Sequence, residues 1–170
     1  MASASMTQRV SGAYFQKVIG ARFQFVPYRG AGPALQDLAA GHIDLMFDQP
    51  SNSLPQLRVG NIKAFAVAAE ARLASAPEIP SMNEAGLPGF SILSFNALWA
   101  PKGTPETIVS KVNAAVAKAL DEPTVRSRLA DLGQDIPTSQ QRTPQALRSL
   151  QKIEMEKWWP LIKEANIKSE

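Results

Sequence analysis

Cysteine is absent from the 170-residue sequence, and histidine occurs once, at position 42. Without cysteine there are no disulfides, no thiolate metal sites and no cysteine nucleophiles; the redox compartment stays open, because many proteins of oxidising compartments also lack the residue. A large excess of one charge is missing too. Lys and Arg number 18 against 15 Asp and Glu, a net charge of +3. The basic residues are scattered, whereas a nucleic-acid surface gathers them on one face, so no nucleic-acid partner is expected. No apolar run approaches the roughly 20 residues that cross a bilayer. The opening Met1-Ala2-Ser3-Ala4-Ser5-Met6 shows no basic region followed by an apolar stretch, so no secretion signal is visible, and the chain is read as starting inside a longer gene.

Catalytic signatures are equally sparse. No serine sits in a nucleophile elbow, no histidine has an acidic partner at motif spacing, and no glycine-rich run carries a phosphate-loop lysine. Asp37 and Asp44 make no obvious carboxylate dyad, since one falls on a helix and the other in a strand. These absences point away from an enzyme, and no cofactor or metal is expected. His42, preceding a strand at the end away from the loops discussed below, reads as a surface residue. Trp158 and Trp159 read as the inner and outer sides of the last helix.

What is present is an ordinary globular composition, 45% hydrophobic and 19% charged. Ser5 or Thr7 can cap a helix running to Ile19, with Gly20 as its stop. Phe23–Val26 reads as a strand ended by Pro27-Tyr28-Arg29-Gly30. Pro33 suits the first turn of a helix closed by Gly41. Ile43–Phe47 reads as a short strand, Leu54–Val59 as a short helix, and Ile62–Ala68 as another buried strand. Helix alternating with strand over Met1–Ala69 is the pattern of an α/β unit with a parallel sheet.

Pro-punctuated Ala76–Ser81 and the turn Gly86–Gly89 read as linker, and Phe90–Ala100 as a strand long enough to cross between domains. The last third is helical. Thr104-Pro105-Glu106 and Thr143-Pro144 are start signals, Pro123 opens a helix ending near Gly133, and Pro160 interrupts or kinks the last one.

In an open parallel sheet, small molecules bind beyond the carboxyl ends of the strands. Three segments should share that edge: the loop Ser3–Thr7, the loop Tyr28–Gly32 and the turn Asp48–Ser53. Their small, polar or glycine-bearing residues let backbone N–H groups approach a bound group, and a helix N-terminus presents unpaired donors to an anion. A carboxylate fits this chemistry without a metal. The candidate contacts are Ser3, Ala4, Ser5, Thr7, Arg9, Tyr28, Arg29, Gly30 and Asp48. Each has a plainer reading: Ser3, Ser5 and Thr7 as helix caps, Tyr28 as a packing residue, Gly30 as a turn glycine, Asp48 as the cap of the next turn, and the arginines as surface charges.

Phe25–Gly30, Pro33–Leu38 and Gly41–Asp48 occur in an order and spacing that resemble the Bug proteins, TctC-like solute-binding components of tripartite tricarboxylate transporters. The likeness continues through Pro77–Ser81, Glu84–Gly89, Ala100–Pro105 and Leu129–Gly133, almost the whole chain. It implies a periplasmic-binding-protein-like α/β fold, a periplasmic location, a small carboxylate ligand (dicarboxylate, aromatic carboxylate or amino acid) and membrane permease subunits as partners. It places Ser3, Ala4, Ser5 and Thr7 at the second domain's carboxylate loop and Asp48 at a strand-end aspartate beside the cleft. Met6 stands where the family commonly has glycine, and Arg9 where it commonly has histidine.

The resemblance also implies the organisation. Residues 1–95 correspond to the family's second domain lacking its first strand; residues 96–170 correspond to a crossover strand and a helical segment that returns to complete the first. With the first domain's opening half missing, apolar stripes on Val112, Val116 and Leu129 would stand uncovered, and a homo-oligomer is expected. Alternatives to solute binding are an interaction or sensory module that self-associates through these helices, and an enzyme recruited from the same scaffold.

Overall fold

The computed structural model describes residues 1–167. The chain enters through β1 (Ala2–Ser3), then turns into α1 (Met6–Ile19). Ser5 is the N-cap: its backbone is extended and its hydroxyl accepts from the Gln8 N–H (3.2 Å). Gly20 closes α1 at φ 68°, a left-handed conformation that glycine adopts without the steric cost of a Cβ. β2 (Val26–Pro27) returns parallel to β1, with Ala2 opposite Val26 and Ser3 opposite Pro27. Next come α2 (Ala31–Ala39) and α3 (Pro50–Arg58).

The expected strands are shorter than the hydrophobic runs implied. Phe23–Val26 contributes only its last residue to β2. Ile43–Phe47 has no regular ladder, but its Leu45 carbonyl accepts from the Ala2 N–H (2.9 Å), so it borders the other edge of β1. Ile62–Ala68 contributes a single parallel bridge, Val67 to Ser81. β1 is therefore the middle of a minimal parallel arrangement, and the chain opens in a strand where a loop was expected at Ser3.

The Pro-punctuated segment is not a linker. Ala76, Ile79, Ser81 and Met82 are all buried. Ala76 and Ile79 pack with Leu54 of α3, flanked by Leu57, Val67 and Leu73. Proline removes a donor but keeps its carbonyl, and Pro80 uses that carbonyl to accept from the Val67 N–H (2.8 Å). Glu84 fixes the following turn by accepting from the Ser81 N–H (2.8 Å) and from Arg72 Nε (2.9 Å). These bonds hold its carboxyl down at about 2, the Arg72 bond contributing most.

An aromatic group joins this half to the last helix. Phe90, 1% exposed, stacks on Tyr14 of α1 with ring centroids 4.8 Å apart, and Trp158 meets Tyr14 edge-on at 5.4 Å. Beyond Phe90 the expected crossing strand is irregular; Leu98 and Trp99 are exposed. The helical part comprises α4 (Glu106–Asp121), α5 (Pro123–Asp131) and α6 (Pro144–Glu164). Thr143 caps α6, its hydroxyl accepting from the Ala146 N–H (3.1 Å), and α6 continues through Pro160. Thr104 instead turns its hydroxyl back to the Pro101 carbonyl, leaving Pro105 as the N-cap of α4. Val112 is exposed as expected, whereas Val116 and Leu129 are half-buried.

Candidate functional site

The carboxyl ends of β1 and β2 lie side by side, tied by the Tyr28 N–H to the Ser3 carbonyl (3.2 Å). From that edge Ala4 and Ser5 lead into α1. The N–H of Arg9 reaches the Ser5 carbonyl (3.1 Å), closing the first helical turn, and the Gln8 N–H is taken by the Ser5 hydroxyl. The N–H groups of Ser5, Met6 and Thr7 precede these bonds and find no acceptor among the described residues. Unpaired donors at the positive end of a 14-residue helix have the chemistry to accommodate an oxyanion.

Gln8 makes this seat rigid. It is 7% exposed, its side-chain oxygen accepts from the Ala4 N–H (2.7 Å), and its amide nitrogen donates to Asp48 Oδ1 (3.4 Å). Sequence reasoning overlooked it, although Ser5-Met6-Thr7-Gln8 carries the signal: a hydroxyl cap followed three residues later by glutamine is a capping box. Here the glutamine reaches one residue further back than the cap, and its other end crosses to a segment 40 positions away.

Asp48 is brought to the rim, with its carboxylate facing protein donors. Besides Gln8, it accepts from Asn52 Nδ2 (3.1 Å) and Ser53 Oγ (3.2 Å) at the start of α3. It thus links two helix starts, and its cap-like bonds go to side chains of α3. Tyr28 packs beside Ala2, Ala34 and Ile43, and its hydroxyl donates to Asp37 Oδ2 (2.7 Å). That bond raises the tyrosine pKa; the same bond, with a contact from His42 Nδ1 (3.2 Å), lowers that of Asp37. His42 is exposed, as expected of a surface residue.

The remaining candidates divide. Ser3 belongs to β1, and Ala4 packs against the small core beneath it. Thr7 is exposed in the first turn of α1. Arg9 lies over the Phe25 ring, 5.7 Å from its centroid, which draws its guanidinium to the aromatic face. Arg29 is exposed, and Gly30 is the N-cap of α2 at φ 96°. The structure therefore unites Ser3–Thr7, Tyr28 and Asp48 along one edge; Arg9 leans onto Phe25. No group of His, Cys, Asp and Glu suited to a metal occurs among the described residues.

A cavity of about 180 Å³ adjoins the same helix start, walled by Met6, Thr7 and Val10, by Ile92, Leu93 and Phe95 and by Trp158 of α6. It was not visible in the sequence, because its walls come from three segments of the chain at least 59 residues apart.

Comparison with known proteins finds relatives over almost the whole chain. The chain is 42% identical to MatC of Rhodopseudomonas palustris, solved with bound malate, with a TM-score of 0.89 over 95% of this chain and 55% of that one. The periplasmic binding protein BugD is 31% identical, with a TM-score of 0.88 over 99% of this chain and 57% of that one. A protein of the TAR-I ttuE–ttuC′ intergenic region of Agrobacterium vitis is 40% identical over 155 residues, 91% of this chain and 44% of its own length. The chain thus spans about half the length of these relatives. With residues 2–167 matched end to end, it belongs to the tripartite tricarboxylate transporter family receptors (TctC).

Proposed function

We propose that the chain binds a small carboxylate-bearing solute as the receptor of a tripartite tricarboxylate-type uptake system, in the periplasm and in concert with membrane permease subunits. The observation that carries this reading is the set of unpaired N–H groups on Ser5, Met6 and Thr7, held in place by the Gln8 clamp. A carboxylate offers two oxygens with several lone pairs and needs such donors. MatC, which shares 42% identity, was solved with malate.

The bonding of Asp48 favours binding over turnover. Its oxygens are occupied by Gln8, Asn52 and Ser53, so it serves as a brace, whereas a general base must reach the proton it removes. In this reading residues 1–95 form the carboxylate-binding unit, and residues 96–170 belong to the opposing lobe, with hinge closure on the solute. Calorimetric titration with malate, other dicarboxylates, aromatic carboxylates and amino acids tests it. Heat with one class, weakened several-fold in Ser5→Ala, is the expected result; a folded sample that gives none with any class overturns it.

A further inference from the structure

We infer that the cavity beside α1 receives the apolar body of the solute, which makes the preferred solute a monocarboxylate bearing a phenyl ring or an alkyl group of similar bulk. This rests on the carboxylate reading above and adds the identity of the other end of the molecule.

The cavity's character follows from its lining. Val10, Ile92, Leu93, Phe95, Trp158 and Ile162 supply apolar walls. Its polar members are largely engaged with one another. Ser11 donates its hydroxyl to the Thr7 carbonyl (2.8 Å), and Glu154 accepts from the Trp158 indole N–H (2.7 Å). A hydroxyl or second carboxylate entering here would lose water without gaining a full set of partners, and would bind more weakly for it. The Glu154 carboxylate would in addition repel a second acid group.

Size agrees with chemistry. An apolar cavity of about 150 Å³ is enough to hold a benzene molecule, and this one is about 180 Å³. Its wall includes Met6 and Thr7, whose backbone N–H groups belong to the anion seat, so an acid group and an attached ring can be satisfied by the same helix start. The Met6 thioether is soft and flexible, suited to lying against a ring.

The test compares sodium phenylacetate with sodium malate by calorimetry and follows the Trp158 indole N–H by NMR. Leu93→Trp fills the cavity from a side chain that is 48% exposed, and so leaves the packed core alone. Phenylacetate is expected to bind at least ten-fold more tightly than malate and to shift the Trp158 resonance. Leu93→Trp should weaken phenylacetate at least ten-fold and malate less than two-fold. Malate binding as tightly as phenylacetate, an unmoved Trp158 signal, or phenylacetate unaffected by Leu93→Trp overturns the cavity assignment while the carboxylate reading stands. Absence of heat with both salts and with the wider panel overturns both.

Discussion

The first ninety residues and the last eighty are built on different terms. With the sole exception of Leu161, every buried residue among those described lies at or before Phe90. α1 buries Gln8, Val10, Ser11, Gly12 and Ala13, whereas α4, two residues longer, buries none. Helix-forming pattern is therefore not the difference; α4 has the stronger apolar stripe by sequence, with Ile108, Val109, Val112, Val116 and Leu120. The difference is what lies opposite. α1 faces β1, Phe25, Phe90 and α6, while α4 is tied to its surroundings largely by polar bonds such as Asn113 Nδ2 to the Arg142 carbonyl (2.8 Å) and Arg142 to Asp121 (2.8 Å). The lesson concerns the candidate site. A binding site must be held still to bind well, and the proposed one sits at the start of α1, which buries more residues than any other described helix.

The comparison is broken most directly at Phe90. Phe90→Ala removes the largest fully buried side chain and is expected to destabilise the chain by about 3–5 kcal/mol. Val112→Ala, at a position 47% exposed on α4, should change stability by no more than about 0.5–1 kcal/mol. Denaturant unfolding of the two variants measures the contrast, and equal losses would abolish it.

Gly133 probes the seam between the regions. Its φ is 66°, and a Cβ there would stand 2.8 Å from the Pro50 Cβ, at the start of α3. Gly133→Ala should therefore cost about 1–3 kcal/mol, from left-handed backbone strain together with the contact, readable as a lower thermal midpoint. Gly20→Ala, at a similar φ but with open space around it, carries only the strain and should cost less.

Gln8 separates stability from binding. Gln8→Ala leaves the Ala4 N–H without its partner and is expected to cost about 1–2 kcal/mol, with carboxylate affinity falling several-fold by calorimetry because the loop before α1 loosens. Gln8→Glu keeps the acceptor for Ala4 but brings a negative charge toward Asp48 and the anion seat. It should bind more weakly than its stability alone would suggest.

The smallest expected effect is a pH dependence. Glu84 is held at about 2 against an ordinary value of 4.5, so the folded chain binds fewer protons there than the unfolded one. Its contribution to stability is present in full above pH 4.5 and is lost as the pH falls from there through about 2. Glu84→Gln should lack this acid-range component; identical acid unfolding curves for the two proteins would remove Glu84 from the account.

Features set by near neighbours were legible in the sequence. Ser5 and Gly20 bound α1, and Thr143 with Pro144 starts α6, because caps and stops depend on the backbone within a turn of themselves. The strands were less legible. Phe23–Val26, Ile43–Phe47 and Ile62–Ala68 have the composition of strands, yet a strand exists only where a neighbour completes its ladder, and here each finds between one and three such bonds. Ala76–Ser81 misled for the opposite reason: prolines mark a turn, and only the fold shows that the turn is packed under α3. At the candidate site, Ser5 was readable as the cap of α1 from its residue type. The bracing of its loop was not, because Asp48 lies 40 residues from Gln8.

The sequence by itself determined the helix ends, the α/β character of the opening segment and the resemblance to a receptor family. All of these depend on contacts within a few residues or on the order of motifs along the chain. Only the tertiary structure decided which helix is clamped, which carboxylate is occupied by its own neighbours, and where an apolar cavity opens beside the anion seat. Side chains from α1, Ile92–Phe95 and α6 meet through folding alone, and no local pattern in the chain encodes the distance between them.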